Sequence, residues 1–122
     1  SAELPVGGAV PPTLSLELGG PVSLGNFMPS EDRTYEASTT AKVTSTGADA
    51  ALSVSPDPAY LSNNGFTLSE PLQVLFSKSS WTEPVSAEPV TITFRQHVGE
   101  REGLRTGIYS ETVTVTLSTT NP

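Results

Sequence analysis

One histidine, 13 carboxylates and no cysteine are the groups with which this 122-residue chain could do covalent or acid–base chemistry. A nucleophilic relay needs a histidine that touches a hydroxyl on one side and a carboxylate on the other. His97 is the one histidine available, and it lies near the end of a strand-like run. A solvated strand-end histidine is therefore expected. Glycoside hydrolysis needs two carboxyl groups a few ångströms apart in a cleft. Glu31/Asp32, Glu100/Glu102 and Glu36/Glu111 are the pairs to consider, and most of these residues sit in loops beside Pro, Gly or Arg. Solvation accounts for them there, and a compact domain of this length has little material for a deep cleft. The absence of cysteine removes thiolate metal sites, thiol nucleophiles and disulfides. Asp49, Asp57, Glu31 and Asp32 are oxygen donors of the kind calcium takes. They do not form the spaced acidic loop that would mark a calcium site, so solvated turn carboxylates are expected. Lys42 stands in a strand-like run, and its even parity points it to solvent. A lysine able to cross-link to an asparagine would have to be buried with a depressed pKa. No catalytic residue, metal or cofactor is expected.

Aromatic residues carry the remaining chemistry. Sugar rings stack on exposed Trp and Tyr faces, through the apolar-face physics that makes these residues anchors at interfaces. Trp81 stands in the polar stretch SKSSWTEPVS, and Tyr60 and Phe66 flank Asn63-Asn64-Gly65. Together the three could form a shallow carbohydrate platform. The competing reading makes Trp81 a cap on the core, as the high average burial of tryptophan favours.

The formal net charge is −7, with six Lys and Arg in all. A surface that binds nucleic acid displaces counterions with clustered cations, and this chain has no basic patch to do so. The same shortage removes attraction to an anionic bilayer. No stretch approaches the roughly 20 apolar residues of a membrane span.

The elements that would hold these groups are strands. Leu14, Leu16 and Leu18 alternate, then Val22 and Leu24 with Phe27. Tyr35, Ala37, Thr39, Ala41 and Val43 share a face of a long run, followed by Leu52 and Val54 before Pro56 and Pro58. Leu72, Val74 and Phe76 alternate, as do Val90, Ile92 and Phe94, and finally Val113, Val115 and Leu117 within Tyr109–Leu117. These are about seven strands, separated by Gly, Pro and Asn turn signals. No window has helical spacing, and 11 prolines would interrupt one. The fold expected is all-β: a two-sheet antiparallel, Ig-like sandwich, with a closed barrel as the alternative. Residues 1–12 hold three prolines and two glycines and read as a linker, 13–118 as the sandwich and 119–122 as a tail. The start at Ser1, without Met, suggests an excised piece of a larger, processed protein, a bead in a multidomain string.

The segments LSLELGGPVSLGNFMP (Leu14–Pro29), YEASTTAKVTSTGADAALSVSP (Tyr35–Pro56), NGFTLSEPLQV (Asn64–Val74), PVSAEPVTITFRQHVG (Pro84–Gly99) and LRTGIYSETVTVTLSTT (Leu104–Thr120) follow one another in order. Together they resemble a β-sandwich domain recurrent in secreted and surface proteins of actinobacteria and related Gram-positive bacteria, often as the last module of a larger protein. A looser similarity exists to cell-wall-binding WxL-type domains, whose paired Trp-x-Leu motifs this chain lacks. The resemblance implies fold, export and modular context, and it brings no catalytic residues. The function expected is a non-catalytic accessory module, a spacer or surface attachment, of a secreted multidomain bacterial protein. The alternative is a carbohydrate-binding module using Trp81, Tyr60 and Phe66. The expected partners are neighbouring domains of the same chain and a polysaccharide or the cell wall, with the domain itself a monomer.

Overall fold

A computed structural model describes residues 2–9, 13–47 and 49–121. All regular structure in them is antiparallel β, in nine strands with no helix, so no helix is long and apolar enough to cross a membrane. β1 (Leu14–Leu18), β2 (Arg33–Ser45), β8 (Val85–Val98) and β6 (Gln73–Phe76) form one sheet in the order β1-β2-β8-β6. A second sheet has the order β7-β3-β9, from β7 (Ser80–Trp81), β3 (Asp49–Ser55) and β9 (Thr114–Asn121). β4 (Ser62–Asn63) and β5 (Phe66–Thr67) make a small hairpin.

β2 and β8 form the long ladder, because period-two alternation persists in both. Ala41 lies opposite Val90, Thr39 opposite Ile92 and Ala37 opposite Phe94, all on the inward face. Small residues on β2 leave room for the branched and aromatic side chains of β8, which suits a pleated, half-buried surface. Near the end of the ladder the register shifts between Val43 and Ser45, and Ala87 takes φ 50°. The Ala87 N–H donates to Thr44 Oγ1 at 2.9 Å, a side-chain substitute for a ladder bond at this bulge.

The core has two parts. Towards the β2–β3 turn, Val43, Ala50, Leu52, Trp81 and Val90 pack together, with Leu16, Phe76, Val85, Val115 and Leu117 around them. These side chains come from both larger sheets, so here sheet faces sheet, as in a sandwich. At the other end of β2, Tyr35 and Val98 pack against Ala59, Leu61, Leu68 and Leu72. There the second layer is irregular chain and the small hairpin.

Three sequence expectations need correction. The strand over Val22–Phe27 does not form. Its alternation fails between Leu24 and Phe27, and Gly25 and Ser30 take left-handed φ values of 85° and 64°. Leu24 and Phe27 still pack on the core, from a loop. β8 begins at Val85, before Pro89, which the ladder accommodates opposite Lys42. β9 runs through Asn121, paired to Asp49, and so includes residues read as tail. Within the stretch read as linker, Ala2–Ala9 is exposed without strand or turn, while the stiff Pro11-Pro12 pair lies outside the described residues.

Candidate functional site

Several polar side chains meet at the loop-built end. His97, next to last in β8, stands between two carboxylates from distant loops: Nε2 faces Asp32 Oδ1 and Nδ1 faces Glu70 Oε2. Both ring nitrogens can donate only in the imidazolium form. Hydrogen bonding to Asp32, then to Glu70, therefore raises the His97 pKa above its ordinary 6.5, with a smaller opposing effect of desolvation. The ring joins three segments: the loop before β2, the end of β8 and the chain before β6. The two carboxylates occupy opposite edges of the ring, so they cannot converge on one cation.

Behind His97 lies Gln96, fully buried on the inward face opposite Tyr35. Its Nε2 donates to the His97 carbonyl at 2.8 Å and the Glu70 carbonyl at 3.1 Å, fixing the same loop from inside. Tyr35 Oη accepts the Met28 N–H at 2.7 Å. Buried Asn63 donates through Nδ2 to the Thr106 carbonyl at 3.1 Å. Gly107 passes so close to Asn63, at φ 136°, that a Cβ there would fall 2.6 Å from Nδ2. Glu102 Oε1 accepts the Ser69 N–H at 2.7 Å and its hydroxyl at 3.0 Å. Irregular chain cannot satisfy its own amides, and these side chains do so here.

Between these loops and the larger sheet lies a cleft of about 1110 Å³, lined by Leu24, Phe27, Phe94, Ile108 and Tyr109 among others. Phe27 packs at a tilt 4.8 Å from Tyr35 and 6.0 Å from Tyr109, and Tyr109 meets Phe66 edge-on at 6.1 Å. Arg105 lies over Phe66 at 4.9 Å.

No known family, curated protein or solved structure matches this chain.

The sequence-proposed platform is not assembled. Trp81 is 3% exposed and sits in the core near the β2–β3 turn, with its indole N–H donating to Glu88 and Lys78 5.8 Å from its ring. Phe66 is half-buried in the aromatic row at the far end, and Tyr60 is exposed on the bridging segment beside Ala59. Burial takes Trp81 away from any sugar, and of its two proposed companions Phe66 packs on the other core cluster while Tyr60 lies outside both. The carboxylate pairs are also divided. Asp32 holds His97 while Glu31 lies 3.8 Å from Arg33. Glu36 meets Arg95 across the ladder at 2.7 Å, and Glu111 accepts the N–H of Thr112. Glu102 caps Ser69 and Glu100 is exposed. Asp49 begins β3, Asp57 is exposed, and Lys42 points to solvent as its parity requires. Among the described residues no three potential ligands are grouped to hold a metal.

Sequence reasoning missed Asp32 and Glu70 as partners of His97, and Gln96 and Asn63 as buried locks. The one available signal was Gln96, whose parity puts an amide on the same face as Ile92 and Phe94.

Proposed function

We propose that the chain is a non-catalytic accessory module of an exported multidomain bacterial protein, held at one end and free at the other, which works by attachment more than by spacing. The observation that carries this reading is where the first and last strands meet the rest. Leu14 pairs with Ser45 and Asn121 with Asp49, so both ends of the sandwich flank the one β2–β3 turn. The Thr46 N–H donates to the Thr13 carbonyl at 3.0 Å and closes that corner. A spacer gains length when its ends are far apart. Here the 13 residues of β2, about 40 Å at 3.3 Å each, carry the loop end away from both points of connection.

The non-catalytic reading is supported by His97. With a carboxylate at each ring nitrogen, it has no free lone pair to take a proton from a hydroxyl. An Ig-like relationship is supported by the larger sheet: among strands of four or more residues its order is first-second-fifth-fourth, the A-B-E-D order of an immunoglobulin sheet. Export and modular context rest on the resemblance to the actinobacterial surface-protein domain.

The test is a fusion of the chain to a soluble reporter, incubated with Gram-positive cells and purified wall fractions. Attachment expects the reporter to resist washing, and to be released by Ile108→Asp or Tyr60→Asp, which alter exposed apolar residues of the loop end. A reporter that washes off as freely as it does without the chain overturns attachment and leaves spacing.

A further inference from the structure

Among the described residues β9 pairs with β3 on one side and with no strand on the other. A bare row of N–H and C=O groups is a template for another chain, so natural edge strands are kept short or guarded by charge or proline. The other edges follow that rule: β1 is five residues with Glu17 within it, β6 is four and β7 is two. β9 is eight residues, Thr114–Asn121, without a charge or a proline.

Beside this edge the sandwich is covered only in part, by Leu16 of β1 packed with Val115 and Leu117. Leu14, Leu16 and Leu18 lie opposite Ser45, Val43 and Ala41 and share their inward face. Yet Leu14 is 44% exposed and Leu18 53%, while Ala41 and Val43 are fully buried. Two cavities, of about 1110 and 380 Å³, open along this side and share Leu18 and Val115. Of the strands with four or more residues, the smaller sheet holds the third and the sixth. A seven-stranded constant-type sandwich adds its last strand outside the sixth. A strand in that place would cover Leu14 and Leu18.

The chain carries an extended segment with two apolar side chains and nothing to cover. Ala2–Ala9 is exposed throughout, with Leu4 at 84% and Val6 at 89%. In an extended strand residues two apart share one face and one hydrogen-bonding edge. Leu4 and Val6 can therefore turn both side chains inward and both backbones towards β9. Pro5, between them, would direct its missing N–H to solvent, where an edge strand tolerates proline.

We propose that the Ala2–Ala9 segment of a second copy adds as a strand to the free edge of β9, placing Leu4 and Val6 over Leu14 and Leu18. The arm of the same chain is the poorer occupant. It leaves the edge bare, since Ala2–Ala9 is exposed throughout and pairs with no strand. Main-chain pairing would supply affinity and the two apolar side chains register, as in other strand-addition interfaces. Reciprocal addition closes a dimer, in place of the monomer expected from sequence.

Because the chain has no cysteine, single cysteines report the contact cleanly. Isotope-labelled Val6→Cys chain is mixed with unlabelled Leu18→Cys chain in a glutathione redox buffer, and the disulfides are read by mass. The expected product is dominated by the mixed disulfide. In parallel, sedimentation of the unaltered chain should show a monomer becoming a dimer between tens of micromolar and about 1 mM. Deleting residues 1–9, or introducing Leu4→Asp with Val6→Asp, should weaken that dimer at least about tenfold. Circular dichroism of each variant confirms the β fold, and the arm deletion leaves every strand intact. A statistical mixture of disulfides, or an unaltered chain that stays monomeric throughout, overturns the proposal. So does a Val6→Cys/Leu18→Cys double variant that closes within single monomers.

Discussion

The two ends of the sandwich are held by different physics. Near the β2–β3 turn, two sheets meet across Trp81, Val43, Leu52 and Val90, which need one another's surface and, for the Trp81 indole N–H, the Glu88 carboxylate. At the far end, one sheet is covered by irregular chain, and Gln96, Asn63, Tyr35 and Glu102 reach backbone groups of that chain. The difference follows from where ladders stop. A paired strand satisfies its own amides and needs only apolar cover. A loop that serves as a wall of the core brings amides with it, and these need side-chain partners.

Removing the apolar anchor should cost most. Trp81→Ala is expected to destabilise the fold by about 3–5 kcal/mol, read by chemical denaturation. A loss near 1 kcal/mol would mean the sheet-on-sheet end is less well packed than its burial implies. Asn63→Ala should cost about 1–3 kcal/mol, from carbonyls left without a donor, and should speed amide exchange in the Leu104–Tyr109 segment. Trp81 is the one tryptophan, so its emission reports the other end separately. A shift of that emission in Asn63→Ala would break the claim that the two ends are held independently.

A smaller effect is expected from pH. The folded-state pKa of His97 lies above its ordinary 6.5, because Asp32 and Glu70 stabilise the imidazolium. Its contribution is therefore complete below 6.5 and is lost as pH rises through the raised folded value. The melting temperature should fall across that window, and His97→Gln should flatten the slope; a slope unchanged by His97→Gln would remove the clamp from the account. The side chain is well exposed to solvent, so screening keeps the effect modest. Least of all should come from Glu36→Ala. Its pair with Arg95 is half-exposed on the outer face, where such pairs contribute about 0.2–1 kcal/mol; a larger loss would show that this outer face also holds the fold.

The same contrast explains what could be read in the residues. Alternation over Tyr35–Ser45 identifies β2 because every second residue is apolar or small, and the structure adds only Arg33 and Thr34. The run from Val22 misleads, because three apolar residues near period two occur in a loop that merely lays them on the core. β8 was half legible: Pro84 and Pro89 look like stops, and only the structure shows that β8 pairs with β2 alone at Pro89, which leaves one side of the strand there without a ladder bond to lose. The burial of Trp81 is what the average tryptophan would do, while its separation from Phe66 and Tyr60 depends on their joining a different hairpin and a loop at the other end. The His97 clamp was illegible. Its partners stand 65 and 27 residues away, and no local spacing records a contact made when two loops fold over a strand end.

The corner where Leu14 meets Ser45 and Asn121 meets Asp49 also sets how the domain would respond to force. Tension between residues 13 and 121 acts at the ends of two ladders that start from the same turn. It would open β1 from β2 and β9 from β3 one pair at a time, instead of shearing many bonds together. The long β2–β8 ladder and the clamped loops lie outside that line of load. Under a steady pull through residues 13 and 121 the fold should yield from the corner inward, with its loop end the last part to lose its shape.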